Sequence, residues 1–290
     1  MRKIYTVAIL SLIAFQAFAF SFEPSTNPWV GFTVGYVSSQ VKISDGNETD
    51  KFGLFGETKL DKETKKDIKE MEKEGYKVNY PDRNYSTGLQ VGLTFNPEFV
   101  YGIGLKTGLL YECAIYNYSS SYSKKDYSEK SSSVDSDHAM SIPLQISWRV
   151  EVYDELSLFL YTGPVFDIHL GQYSHSSYSA KDDDANYSVD TYTKGAPYSK
   201  TYYTKTVVKD DGDKDDSGWE DFENEPSMTR LNVAWAVGAG IQWKGLRLTV
   251  GGQFGMNNLL LPDFRDDDYS YKLNKPFEIS LSYMFLDRKK

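Results

Sequence analysis

Residues 228–258 read MTRLNVAWAVGAGIQWKGLRLTVGGQFGMNN, and their alternation decides the fold. From Leu231 the odd positions are Leu231, Val233, Trp235, Val237, Ala239, Ile241 and Trp243, while Asn232, Ala234, Ala236, Gly238, Gly240 and Gln242 lie between them. Strict period two of this kind marks a strand whose two faces meet different surroundings. Lys244-Gly245 is a two-residue connection of the sort tight hairpins use, and Leu246, Leu248, Val250 and Phe254 resume the apolar side opposite Arg247, Thr249, Gly251, Gln253 and Gly255. Trp243 and Leu246 then face one another, so the two apolar rows make one sheet surface.

The bulky face is aliphatic and aromatic, whereas the other is glycine, alanine and isolated polar groups. A soluble sandwich would bury the first and cover the second with charge. A narrow barrel in lipid does the opposite: its bulky side points out and its small side points in. A lipocalin-like soluble barrel would line its cavity with large apolar groups in place of glycine rows.

The remaining strands repeat the rule. Strands are expected near 28–43, 84–95, 99–118, 134–152, 156–171, 228–243, 246–258 and 274–286. They give an all-β, eight-stranded, antiparallel, up-and-down transmembrane barrel. Its connections alternate long and short: four long hydrophilic extracellular loops and three short periplasmic turns, with both termini periplasmic. The loops expected to be long are 44–83, 119–133, 172–227 and 259–273. Within the first, the alternating acids and lysines from Asp61 to Glu74, stopped by Gly75, predict a short exposed helix.

Arg2-Lys3, the apolar run Ile4–Phe18 and Ala17-Phe18-Ala19 read as a signal peptide cut after Ala19, leaving 20–290 as a single barrel domain. The apolar run is short for a spanning helix of about 20 residues. Mean hydropathy is −0.50, which suits strands in which only alternate residues are apolar. Cys113 is the single cysteine, so no disulfide framework exists within the chain. The net charge of −9 disfavours a nucleic-acid partner. Together these features place the chain in the outer membrane of a Gram-negative bacterium, as a monomer in contact with lipid.

Lys106, Glu112, Arg149, Asp167, His169, Arg247 and Glu278 all carry inward parity. In so narrow a barrel they are expected to form a charge-paired plug in place of an ion path, because stranded buried charge is costly. Phe95, Phe99, Trp148, Trp243 and Phe285 fall near the short turns and are expected to form a periplasmic aromatic belt. His138, His169 and His175 lie near the outer rim with Asp167 and many serines, the ingredients of a hydrolytic site, yet their parity assembles no three-residue set. The chain is therefore not expected to be an enzyme, and no cofactor or metal site is expected. Asp213-Lys214-Asp215-Asp216-Ser217-Gly218, with Asp221, resembles half a calcium loop, but Asn224 stands where a bidentate glutamate belongs. The tyrosines of that loop, among them Tyr187, Tyr192, Tyr198, Tyr202 and Tyr203, are expected to extend the fifth and sixth strands above the membrane.

Ser141-Ile142-Pro143-Leu144-Gln145-Ile146, Thr162-Gly163-Pro164-Val165-Phe166, Gly238-Ala239-Gly240-Ile241-Gln242-Trp243-Lys244-Gly245-Leu246 and Gly255-Met256-Asn257-Asn258-Leu259 follow one another in strand order. In these the chain resembles the PorT-type family of small outer-membrane barrels. The resemblance implies fold and location and supplies no catalytic residues. The long acidic loop and the tail Leu286–Lys290 depart from it. By resemblance, a component of an envelope secretion or assembly complex is the alternative to a structural or binding protein acting through its loops. An outer-leaflet lipid-modifying enzyme and a narrow channel stand further off.

Overall fold

The computed structural model describes residues 30–45, 48–49, 62–79, 86–100, 102–125, 127–153, 155–182, 186–210, 213–264 and 269–285. The expected signal peptide lies outside them. In chain order the elements are β1 (Val30–Asp45), β2 (Glu48–Thr49), α1 (Lys62–Lys73), β3 (Lys77–Asn79), β4 (Ser86–Phe95), β5 (Glu98–Val100), β6 (Ile103–Lys124), β7 (Tyr127–Tyr153) and β8 (Leu156–Lys181). β9 (Asn186–Lys194), β10 (Thr201–Asp210), β11 (Asp213–Asp216), β12 (Glu220–Glu223), β13 (Leu231–Trp243), β14 (Leu246–Gly255) and β15 (Tyr269–Phe285) complete the chain.

Eight of these strands close a ring in the order β1, β4, β6, β7, β8, β13, β14, β15 and back to β1, every pairing antiparallel. Closure removes the unpaired edges that an open sheet would expose to lipid. The faces are inverted relative to a soluble protein: Thr33 is 2% exposed between Phe32 at 45% and Val34 at 46%. The outside of the ring is apolar, with Leu89, Ile146, Val237, Leu248 and Leu281 uncovered. The inside carries polar groups and small residues, with a few large ones, Leu110, Phe159, Tyr161 and Met284, among them.

The three short connections lie on one rim. Trp243 pairs with Leu246 and Tyr153 with Leu156 across two-residue turns, and Lys244 and Glu155 supply the positive φ such turns require, 54° and 57°. The third runs from Phe95 through β5 to Gly102, whose φ is 78°. The stretch expected as one strand from residue 99 is thus interrupted, and the barrel strand β6 starts at Ile103. Val30 pairs with Phe285, which puts the first and last barrel residues on this same rim.

The opposite rim differs most from expectation. The loop expected at 119–133 is a hairpin: β6 and β7 pair without a break to Lys124 and Tyr127. The segment expected to be irregular, 172–227, is largely β8, β9, β10, β11 and β12. The strands that continue farthest above the barrel are the third, fourth and fifth of the ring (β6, β7 and β8), and the sixth, β13, starts only at Leu231. An open sheet in the order β3, β6, β7, β8, β9, β10, β11 therefore stands on the barrel, with β12 also pairing β10. The helix expected at 61–74 is α1, exposed along most of its described length.

Candidate functional site

Every inward position of a narrow barrel must be filled by a side chain or by water, and this sequence fills it from both ends. Gly238, Gly240 and Gly251 leave room for two rings. A Cβ on Gly238 or Gly251 would collide with Tyr161 Oη, and one on Gly240 with Phe159 Cζ. Tyr161 and Phe159 are both 4% exposed. The glycine row therefore holds space for aromatics of the neighbouring strand and does not mark an open lumen.

Charges are threaded around these rings. Near the short-turn rim Arg247 donates to Gln242 Oε1 from Nε (3.0 Å) and Nη2 (2.6 Å) and lies over the Phe159 ring at 4.7 Å. Lys106 Nζ donates to Gln145 Oε1 at 3.0 Å and lies 3.8 Å from the Tyr161 centroid. In the middle, Glu278 accepts from Gln90 (3.0 Å) and Gln253 (2.8 Å). Higher, Lys275 Nζ reaches Glu112 at 2.8 Å and Asp167 at 3.0 Å, and Asn232 donates to Asp167 at 3.0 Å. The void bounded by Thr33, Lys106, Pro143, Arg247 and Glu278 measures about 10 Å³, room for one water.

The upper mouth is also covered. His169 Nδ1 lies 2.8 Å from Asp137 Oδ2, and Tyr198, from the connection between β9 and β10, stacks on His169 with centroids 4.7 Å apart. Tyr198 Oη donates to Asp137 at 3.4 Å. Backbone bonds from Ser227 and Met228 to Pro197 O (3.1 and 3.4 Å) and from Arg230 Nη2 to Ser199 (2.8 Å) hold that connection over the opening.

Six of the seven polar lumen residues expected from sequence are thus buried inside: Lys106, Glu112, Asp167, His169, Arg247 and Glu278. Arg149 is different. It sits at the short-turn rim, where its guanidinium donates to Glu98 (3.0 and 3.3 Å) and Ser157 (2.8 Å). Lys275, the centre of the upper triad, was absent from the expected set. Of the expected belt, Trp148, Trp243 and Phe285 are about half exposed, whereas Phe95 and Phe99 are partly covered.

The histidines do not assemble. His138 lies on the outer face beside Tyr111, with Tyr111 Oη and His138 Nδ1 2.6 Å apart. His169 is inside, and His175 lies above, stacked on Tyr192 at 4.3 Å and 3.5 Å from Asp190. The acidic stretch resembling a calcium loop is β11, hydrogen-bonded to β10. Asp216 accepts from Lys205 and from Gly218 N, which hold its carboxyl below the usual range. Asp213, Asp215 and Asp216 thus sit on a strand in place of a wrapping loop, and Asp213 and Asp215 face away from Asp216.

Above the barrel the two faces keep their parity. Antiparallel partners share a face, so Ser121, Lys130, Ser179, Ser188, Lys209 and Lys214 form one cross-strand row. That row continues the lipid-facing side of β6. Tyr122, Glu129, Ala180, Tyr187, Asp210 and Asp213 form the adjacent row on the face that continues the lumen. There Tyr127 Oη donates to Glu129 at 2.5 Å.

No curated protein matches the chain. Among solved structures, Ail, the attachment invasion locus protein of Yersinia pestis, aligns at 10% identity over 89% of this chain and 99% of its own, with a TM-score of 0.25. The translocator domain of the autotransporter NalP from Neisseria meningitidis aligns at 10% identity over 98% of both chains, with a TM-score of 0.21. LpxR from Salmonella typhimurium aligns at 7% identity over 87% of this chain and 100% of its own, with a TM-score of 0.18. The family model described as outer membrane protein beta-barrel domain matches residues 23–261. The chain belongs to that family, and it is an outer-membrane β-barrel protein.

Proposed function

We propose that the protein is a monomeric, non-conducting barrel whose work is done by the sheet it holds outside the cell. The observation that carries this reading is the contrast between a lumen packed with paired charges and a hairpin assembly built far beyond what the barrel needs. In this orientation the short turns and both termini are periplasmic, because membrane barrels place short turns there and long connections outside. Catalysis is no part of the proposal, since His138, His169 and His175 occupy three separate environments, beside Tyr111, Asp137 and Asp190, and among the described residues none hydrogen-bonds a serine.

Within the family we place the chain beside the PorT-type barrels on the four motifs in which it resembles them. The second reading, a component of an envelope secretion or assembly complex, rests on that resemblance and predicts envelope partners that co-purify with the chain.

The test is gel migration of unboiled and boiled protein from purified outer membranes, with protease added to intact cells. The proposal expects a boiling-dependent shift and cleavage in 119–133 or 183–226 on whole cells. Reconstituted protein should leave vesicles impermeable to small sugars. Cleavage only after the outer membrane is opened, or vesicles that leak, would overturn it.

A further inference from the structure

The outer face of the sheet's tip carries an unbalanced charge. Lys130, Lys209 and Lys214 stand in one cross-strand row with Ser121, Ser179 and Ser188 between them, and Lys181 follows one step higher with Ser123, Ser128 and Asn186. All four lysines are exposed, and none makes an ion pair among the described residues. Among the described residues of these two rows the face carries no carboxylate. Glu129, Asp210 and Asp213 point to the opposite side, and Asp216, one step lower, is taken by Lys205 at 2.8 Å. In a chain of net charge −9, four lysines without an ion pair on one face are a local reversal of sign, with Asp216 the nearest carboxylate to Lys214 on that face of its strand.

They also line a groove. A concavity of about 670 Å³ is walled by these four lysines and by the serines of β6, β7, β8 and β9, and residues of the adjacent row, among them Tyr122, Glu129, Tyr187 and Asp213, border it. Adjacent strands lie about 4.8 Å apart, so Lys130 and Lys209, three strands apart, are roughly 14 Å from each other with hydroxyls between. From Ile115, the last exposed apolar residue on the outward face of β6, to Ser121 is six residues of strand, about 20 Å along its axis, beyond the headgroup layer.

Resting on the outward orientation proposed above, we infer that this groove binds an anionic polysaccharide. Such a chain alternates fixed negative charge with hydroxyls, and the row alternates ammonium groups with serines. A nucleic acid fits less well: among the described residues no arginine lines the groove to supply a bidentate phosphate fork, and Tyr122 and Tyr187, which border it, belong by strand parity to the other face.

The experiment uses the full chain folded in detergent and measures retention of dextran sulfate, polygalacturonate, uncharged dextran and a DNA oligonucleotide. One variant changes Lys130, Lys181, Lys209 and Lys214 to Gln. A second changes Lys65, Lys66, Lys69 and Lys73 of α1 to Gln, which removes the same charge elsewhere. Heat-modifiable migration establishes that both have folded. The expected result is binding of the two acidic polysaccharides and not of dextran. The tip variant should bind about tenfold more weakly with a shallower salt dependence, and the helix variant within about twofold of the parent. Equal loss in both variants, no retention of acidic polysaccharide, or preference for DNA would overturn the inference. Protease on intact cells separates this from the parent reading: tips cleaved without polysaccharide binding sink only the groove, whereas tips protected on intact cells sink the orientation itself.

Discussion

Strands β6, β7 and β8 are each two strands in one. In their barrel halves outward Leu109, Ile146 and Leu160 are uncovered, and inward Glu112, Gln145 and Tyr161 are buried. In their upper halves both faces are polar, serine and lysine outside, tyrosine and acid inside. The hydrogen-bond ladder runs through the boundary unchanged between β6 and β7, so the difference is one of solvent and not of backbone. In the barrel a charge must find its partner within the wall. Above it, water serves, and the same error of pairing should cost little.

The sharpest way to break that comparison is to remove a cation from each half. Lys275→Ala leaves Glu112 and Asp167 without their counter-ion inside the ring, and it should destabilise the barrel by about 3–5 kcal/mol, while Lys130→Ala at the tip should change stability by less than about 0.5 kcal/mol. The measurement is the urea concentration at which the heat-modifiable form disappears. Neutralising the whole triad, Lys275→Met with Glu112→Gln and Asp167→Asn, should recover much of the loss. Equal sensitivity of the two single variants would mean that water reaches the triad and that the lumen is not sealed.

A second test sharpens the steric half of the argument. Gly238→Val drives a side chain into Tyr161 and should cost about 1–3 kcal/mol, and Tyr161→Ala in the same chain should return part of it. Additive costs in that cycle would mean that the glycine row serves the backbone alone. On the upper sheet the opposition is looser: a Cβ on Gly171 meets nothing, and one on Gly195 comes no nearer than 3.1 Å, to Thr201 O.

What could be read from the sequence follows the same boundary. The hairpin at 231–255 was legible residue by residue, because lipid demands apolar side chains at every second position. The upper halves of β6, β7 and β8 were not, since a strand wet on both faces shows no period-two hydropathy. Only β-propensity remained as a signal, as in Tyr202, Tyr203, Thr204, Thr206, Val207 and Val208 of β10. Lys275 was hidden by a bulge. Glu278 pairs with Gly251, but Lys275 pairs with Gln253, so the register slips by one residue and turns Lys275 inward although its parity matches outward Phe277. Arg149 had the inward parity and lay too close to the rim for burial. Tyr198 reaches the lumen from a connection, which no periodicity describes.

The smallest effect tests whether the upper sheet has any structure-holding electrostatics of its own. Burial opposes ionisation of Glu129, but hydroxyls of Tyr122, Tyr127 and Tyr178 outweigh it and hold its carboxyl below the ordinary 4.5. The same contact, ahead of burial, pushes Tyr178 up to about 12. A carboxyl lowered in the folded state contributes stability above its unfolded value, and that contribution fades as pH falls through the lowered value. At neutral pH the amides between Tyr122 and Lys130 should therefore exchange more slowly in the parent than in Glu129→Gln. As the pH drops below 4.5 the two should converge, with barrel amides unaffected throughout. Because the cluster is largely exposed, the difference should be confined to local opening of the hairpin tip. Identical exchange at neutral pH would leave the tyrosines as surface for a ligand alone, and the upper sheet would then owe its order to the ladder it inherits from the barrel.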